Sequence, residues 1–303
     1  MMITRALLLL LPLSTLIPVG SPDGDSSALR QGLLAGLNQE RAHAGLPPLR
    51  LVPALNQAAQ VHAEEVGHRA SSRPEPGGSD AMWRRLGDVG YTAHTWSESL
   101  IVSHTGPEDV VDRWRTERRD QGGQGGMSPA FQDVGIGIAR FRGAPLYVLL
   151  FGWHRGDYFD RQTAGLRDLE RIRAEMLARV NDVRRSAGLP PLLRSPELDR
   201  AAQEHARDLL VRGYYRHKSL EGAMPGDRAL AAGYPTAQVA ENLHEDRYSV
   251  EKTLDEWLHS PGHRRNLLDP GCTDLGLGLA LGEGYGLDPR AYRVVWVQEF
   301  GRR

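Results

Sequence analysis

Asn181-Asp-Val-Arg184-Arg-Ser-Ala-Gly188-Leu-Pro-Pro-Leu192 restates Asn38-Gln-Glu-Arg41-Ala-His-Ala-Gly45-Leu-Pro-Pro-Leu49 at a distance of 143 residues (188 − 45). Each stretch reads as the end of a helix, because Gly suits the C-terminal cap and proline cannot continue the ladder. The offset persists from Ala58-Ala-Gln-Val-His62-Ala to Ala201-Ala-Gln-Glu-His205-Ala and from Gly90-Tyr91 to Gly233-Tyr234. It also relates Glu98 to Glu241 and Trp114 to Trp257. A period of this length is too long for a solenoid repeat and suits a whole domain. The chain is expected to hold two copies of one fold, so function can be sought where the copies differ.

The length of 303 residues agrees with two domains. Hydrophobic residues are 40 % and charged residues 25 %, the balance of soluble domains that bury a core. A net charge of −1 supplies no global pull toward nucleic acid or an anionic membrane. Arg5, the apolar run Ala6–Val19 and the small residues after it have the layout of a secretory signal peptide, expected over residues 1–26. That run is short for a membrane span and is interrupted by Pro12 and Pro18, so no stable span is expected after cleavage. Cys272 is the one cysteine, which rules out an intramolecular disulfide. Export without disulfides points to a bacterial protein, secreted or periplasmic.

Apolar spacing predicts helices over about 27–44, 53–67, 79–87 and 107–118, then strands Asp133–Phe141 and Pro145–Phe151. The second copy repeats the order, with helices over about 169–187, 197–212, 226–232 and 249–259 and strands 274–281 and 292–300. Ser195 and Pro196 form a helix start. Residues 153–168 are polar and read as a linker between a domain at 27–152 and another at 169–303. Helices flanking a small sheet indicate an α+β class with three-layer packing.

Three titratable residues of the second copy lie on predicted loops or helix ends: His217, Glu241 and His263. Two imidazoles and a carboxylate could hold zinc or another divalent metal with a position left open. The same trio could be a hydrogen-bonded cluster that fixes loops, and spacing leaves both open. His62 and His205 lie on apolar helix faces and read as core, as do Trp114, Trp257 and Trp296. His244-Glu245-Asp-Arg-Tyr248 has Tyr where a zincin needs its second His. A Gly-x-Ser-x-Gly elbow is absent from the sequence. Cys272 reads as a buried, inert thiol, and the pairs Arg84-Arg85, Arg118-Arg119, Arg184-Arg185 and Arg264-Arg265 as solvated surface.

The motifs of the second copy resemble the CAP superfamily (cysteine-rich secretory proteins, antigen 5 and pathogenesis-related 1) in its bacterial, Cys-poor branch. The matching pieces are Asn181-x-x-Arg184-x-x-x-Gly188-Leu, Ala201-Ala-x-x-His205-Ala-x-Asp208, Tyr215-x-His217-x-Ser219, Gly233-Tyr234 and Glu241-Asn-Leu243. Trp257-x-x-Ser260-Pro-Gly-His263-Arg-x-Asn266, Gly276-Leu-Gly278 and Trp296-Val-Gln-Glu-Phe-Gly301 complete the series. The likeness covers residues 170–303 and, through the offset, extends more weakly to 30–152. It implies two three-layer α-β-α sandwiches in tandem, each with a cleft that in some members binds divalent metal through two His and two acids.

Carried over by position, His217 and His263 resemble the cleft histidines and Glu241 the first acid. Ser260 stands where the second acid usually falls, and Glu256 is the nearest carboxylate that could replace it. In the first copy the offset puts Pro74 and Asp120 in place of the histidines, while Glu98 remains and Glu117 takes the place of Ser260. The first copy is therefore degenerate as a zinc site. The favoured reading is a secreted, non-enzymatic protein that binds a lipid, a cell-envelope component or a protein through the second cleft, with zinc or another divalent metal as a candidate ligand. The alternatives are a protease-like, metal-dependent hydrolase with Glu241 as general base on a metal-bound water, and a rigid two-domain scaffold.

Overall fold

A computed structural model describes residues 25–68, 78–120, 126–283 and 292–303. Residues up to Trp153 form one compact unit and residues from His154 onward a second. The signal peptide expected over 1–26 lies almost entirely outside the described residues. The first unit contains α1 (Asp25–His43), β1 (Arg50–Leu51), α2 (Pro53–Gly67), α3 (Ser79–Asp88), β2 (Ala93–Val102), α4 (Pro107–Asp120), β3 (Asp133–Phe141) and β4 (Ala144–His154). The second contains α5 (Arg155–Thr163), α6 (Leu169–Ser186), β5 (Leu193–Arg194), α7 (Pro196–Arg212), α8 (Pro225–Ala231) and β6 (Val239–Glu245). It continues with α9 (Val250–His259), α10 (Pro261–Leu267), β7 (Asp274–Glu283) and β8 (Tyr292–Gly301).

Both units are α+β, and their sheets run in matching order, β1-β3-β4-β2 and β5-β7-β8-β6. The central strands are apolar on both faces, as strands between two helical layers must be. In β4, Tyr147, Leu149 and Phe151 pack with Leu33, Leu37, Val110 and Trp114 of α1 and α4. Val148 and Leu150 face Leu55, Ala59, Met82 and Leu86 of α2 and α3. The second unit layers in the same way. Leu275, Leu277, Val294 and Trp296 meet α6 and α9, while Ala280, Val295 and Val297 meet α7.

The repeated motifs are the frame of this sandwich. Asn181 exchanges two hydrogen bonds with the backbone of Leu192, at 3.0 and 2.8 Å, and Asn38 does the same with Leu49, at 2.9 and 2.7 Å. Arg184 is fully buried, and its guanidinium donates to the carbonyls of Pro190, Leu267, Asp269 and Cys272. Arg41 holds Pro47, Gly126, Ser128 and Phe131 in the same manner. A Cβ on Gly276 or Gly278 would come within 2.3 Å of the backbone of Leu198 or Ala202, so glycine lets α7 lie directly on β7. Tyr234 donates to Asp274 at 2.7 Å and Tyr91 to Asp133 at 2.6 Å.

Three sequence expectations change. β2 and β6 were not expected as strands, so Glu241, expected on a loop or helix end, stands on an edge strand, as does Glu98. Their mixed composition hid them: Val239-Ala-Glu-Asn-Leu-His-Glu245 shows no clean alternation. Residues 153–168, read as a linker, instead fold as α5 and a following 3-10 turn, with Phe159 and Leu166 buried in the second unit's core. The offset also drifts, since Asp274 takes the place of Asp133 (141) and Gly301 that of Gly152 (149).

Candidate functional site

The site forms around Glu241, whose side chain is 1 % exposed. Edge strand β6 pairs with β8, which turns Glu241 and Leu243 toward the α7 layer and Asn242 the other way. Glu241 Oε1 accepts a hydrogen bond from His217 Nδ1 at 2.7 Å. A carboxylate in this pairing can only accept, so Nδ1 carries a proton and Nε2 is the ring nitrogen left for other partners. Glu241 Oε2 accepts from Arg228 Nη2 at 2.6 Å. Arg228 also donates through Nη1 to the carbonyls of His217, at 2.9 Å, and Ala223, at 3.1 Å. One guanidinium thus fixes both the acid and the loop that carries the imidazole.

Two further buried groups border this pair. His205 Nε2 lies 3.9 Å from Glu241 Oε2 and donates to the Arg216 carbonyl at 3.2 Å. It is core, as its apolar helix face implied, yet it also abuts the site. Glu299 stands opposite Glu241 in the β6–β8 register and is fully buried. Neither of its oxygens has a hydrogen-bond partner among the described residues, and Arg228 Nε is 3.9 Å from Oε1. Burial, reinforced by the charge of Glu241, pushes the Glu299 carboxyl well above its usual range. The hydrogen bond to Glu241 raises the His217 pKa, while burial lowers that of His205.

His263 starts the turn of α10 and comes near enough to His217 and His244 for their charges to lower its pKa, after the larger effect of burial. Its carbonyl accepts from Asn242 Nδ2 at 3.2 Å. Asn266 bridges Asn242 Oδ1, at 2.9 Å, and the Glu241 carbonyl, at 3.2 Å. The Glu241-Asn and His263-x-x-Asn266 motifs are therefore joined through amides. Glu256 does not join them: its carboxylate is held by Arg247 Nε at 3.0 Å and Nη2 at 2.5 Å. Ser260 ends α9 and starts α10, its carbonyl accepting from Arg264 N at 2.8 Å.

This arrangement does not fit the expected metal centre of His217, Glu241 and His263. Among the described residues no group of three or more His, Cys, Asp or Glu side chains is placed to hold an ion. Both oxygens of Glu241 are already engaged, one of them by a fixed cation. Of the three, His217 and Glu241 form a hydrogen-bonded pair, and His263 joins them through its backbone carbonyl and Asn242.

In the first unit Glu98 meets His62, with Nε2 at 3.2 Å from Oε2 and both side chains buried. Arg85, the counterpart of Arg228 at the 143 offset, pairs with Glu65 instead. Pro74 lies outside the described residues, and the side chains of Glu117 and Asp120 are likewise not described. Leu150 occupies the place of Glu299 at the β4–β8 offset of 149. The first unit therefore keeps a His–Glu pair that the two missing cleft histidines did not suggest.

Arg228 and Glu299 escaped the sequence reading. The match of Arg228 to Arg85 across the offset was a usable signal, and so was a lone acid inside the apolar run Val294–Phe300. Comparison with known proteins agrees with the motifs. The chain is 30 % identical over 99 residues to the uncharacterized protein YkwD of Bacillus subtilis, and 28 % over 105 residues to the uncharacterized membrane protein YlbC of the same organism. These matches cover 33 and 35 % of the chain, and it spans only 38 and 30 % of the two relatives. Among solved structures, an extracellular SCP-domain protein of Bacillus anthracis matches with TM-score 0.39 and 21 % identity, over 53 % of this chain and 52 % of that one. The model of the Cysteine-rich secretory protein family, CAP, matches residues 34–151 and again 177–300, and the chain belongs to that family as a tandem of two such domains.

Proposed function

We propose that the protein is an exported binding module whose second domain takes a cell-envelope ligand at the His217 face of its cleft, without catalysing a reaction. The observation that carries this reading is the double engagement of Glu241: His217 holds one oxygen and Arg228 the other. A general base needs a free oxygen, and both are spent on holding the loop that presents His217. The imidazole itself is half exposed and leaves Nε2 for a ligand. The metal-dependent hydrolase would need Glu241 released from Arg228 and a third ligand brought in.

The test is retention of the full chain on purified peptidoglycan sacculi and on lipid vesicles, compared with His217→Ala and His263→Ala. Retention by the wild type that falls in His217→Ala supports the binding reading. Equal retention of both, or zinc-dependent peptide hydrolysis by the wild type that His217→Ala abolishes, would overturn it.

A further inference from the structure

A groove of about 540 Å³ lies on the second unit, lined by Pro261, Arg264, Arg265, Leu268, Asp269 and Pro270, with neither His217 nor Glu241 in its lining. That volume lies within the range of small-ligand sites, roughly 300–1,000 Å³. Its charge is one-sided. The Asp269 carboxylate is already committed, accepting from Arg302 Nη2 at 2.5 Å and from the Gly271 amide at 2.8 Å. Arg264 and Arg265 are exposed, and among the described residues neither guanidinium has an ion pair or hydrogen bond. Two arginines without ion-pair partners among the described residues thus line the groove together with the apolar Pro261, Leu268 and Pro270.

The segment that supplies Leu268, Asp269 and Pro270 is held from behind. The buried Arg184 guanidinium ties down the carbonyls of Leu267, Asp269 and Cys272, so the 267–272 segment cannot collapse onto the arginines. Arg41 builds the same frame in the first unit, but at an offset of 141 Arg264 and Arg265 correspond to Gly123 and Gln124. The frame was duplicated and the cations were not. A structural need of the frame therefore does not account for the arginine pair.

We infer that this groove is a binding site for a phosphate group carried on a partly apolar ligand. Arginine forks match the oxygens of phosphate two at a time, which a lysine or a lone surface charge does not. The apolar residues of the groove suit the body that bears the phosphate. The inference stands apart from the cleft reading, because His217→Ala leaves every residue of the groove in place.

The test uses the full chain with inorganic phosphate, phosphatidylglycerol vesicles and phosphatidylcholine vesicles, beside Arg264→Gln, Arg265→Gln and the double variant. Hydrogen bonds to charged groups predict affinity roughly tenfold weaker for each single change and about a hundredfold weaker for the double. Saturable phosphate binding lost in the double variant supports a site for the free group. Binding confined to phosphatidylglycerol vesicles, and lost likewise, supports a headgroup as the source. Absence of binding to all three probes, or binding that the double variant keeps, would overturn the inference. Both arginines are exposed, so the variants are expected to fold, and circular dichroism checks it.

Discussion

Arg228→Met is the most searching perturbation of the second domain. Arg228 and Glu241 are 12 and 1 % exposed, so their 2.6 Å contact is screened little by water. Removing one partner of a buried ion pair typically costs about 3–5 kcal/mol, because the other charge is left uncompensated. Two effects bear on this case. His217 still holds Oε1 and can carry a proton, which softens the loss; the carbonyls of His217 and Ala223 lose their donor, which deepens it. The net expectation is about 3 kcal/mol. Glu241→Leu strands Arg228 beside Glu299 and should cost a similar amount. The double variant replaces the pair with apolar side chains and should recover most of the sum, a coupling of about 2 kcal/mol or more. Native-state hydrogen exchange resolved to peptides localises the effect: protection should fall across 196–245 and stay unchanged across 53–102. A single-variant loss below about 1 kcal/mol, or additive singles, would refute the view that this pair holds the cleft together.

Three further outcomes follow from the same geometry. Arg184→Lys should cost about 2–4 kcal/mol, measured by urea unfolding, because a single ammonium cannot serve the carbonyls of Pro190, Leu267, Asp269 and Cys272 at once. Gly276→Ala should cost about 3 kcal/mol or abolish folding, since its Cβ would overlap the Leu198 backbone, whereas Gly262→Ala, with open space at its Cβ, should cost less than about 1 kcal/mol. His205 is buried and its pKa is lowered from 6.5, so the unfolded chain takes up its proton first as pH falls. Its contribution is fully present above pH 6.5 and is lost as pH drops through the folded pKa; His205→Gln should flatten that part of the stability–pH curve, and an unchanged slope would refute it.

The fold was legible because its frame is made of residues with one workable job. Gly45 and Gly188 adopt positive φ (69° and 72°) at helix ends, where only glycine is comfortable, and the sequence announced both. α2 matched its expected span of 53–67 because Pro53 and a continuous apolar face define it. β2 and β6 were illegible for a physical reason. Each is an edge strand that bends polar residues into a site, so neither alternation nor an apolar run marks it. α5 was lost because its burial rests on a few anchors, chiefly Phe159 and the following Leu166, in a polar stretch. His217, Glu241 and His263 were found by motif, but what holds Glu241 was not. Arg228 sits on a seven-residue helix, and only the three-dimensional return of that helix to β6 reveals its partner.

The two copies diverged along a line that desolvation explains. Asn38 and Asn181, Arg41 and Arg184, and Tyr91 and Tyr234 survive in both units because each closes buried or half-buried hydrogen bonds of the frame. The hold on His217 is weaker: its ring is half exposed and is tied by one hydrogen bond to Glu241. Glu98 is different, since its buried carboxylate keeps His62 at 3.2 Å in a unit that has no His217 or Glu299. Losing either partner alone would strand a polar group in the core, so the pair is trapped even where the cleft around it has changed. On this argument His62→Leu and Glu98→Leu should each destabilise the first unit by about 2–4 kcal/mol, and the double variant by less than either. If the two changes are harmless one at a time, desolvation does not explain why the pair persists.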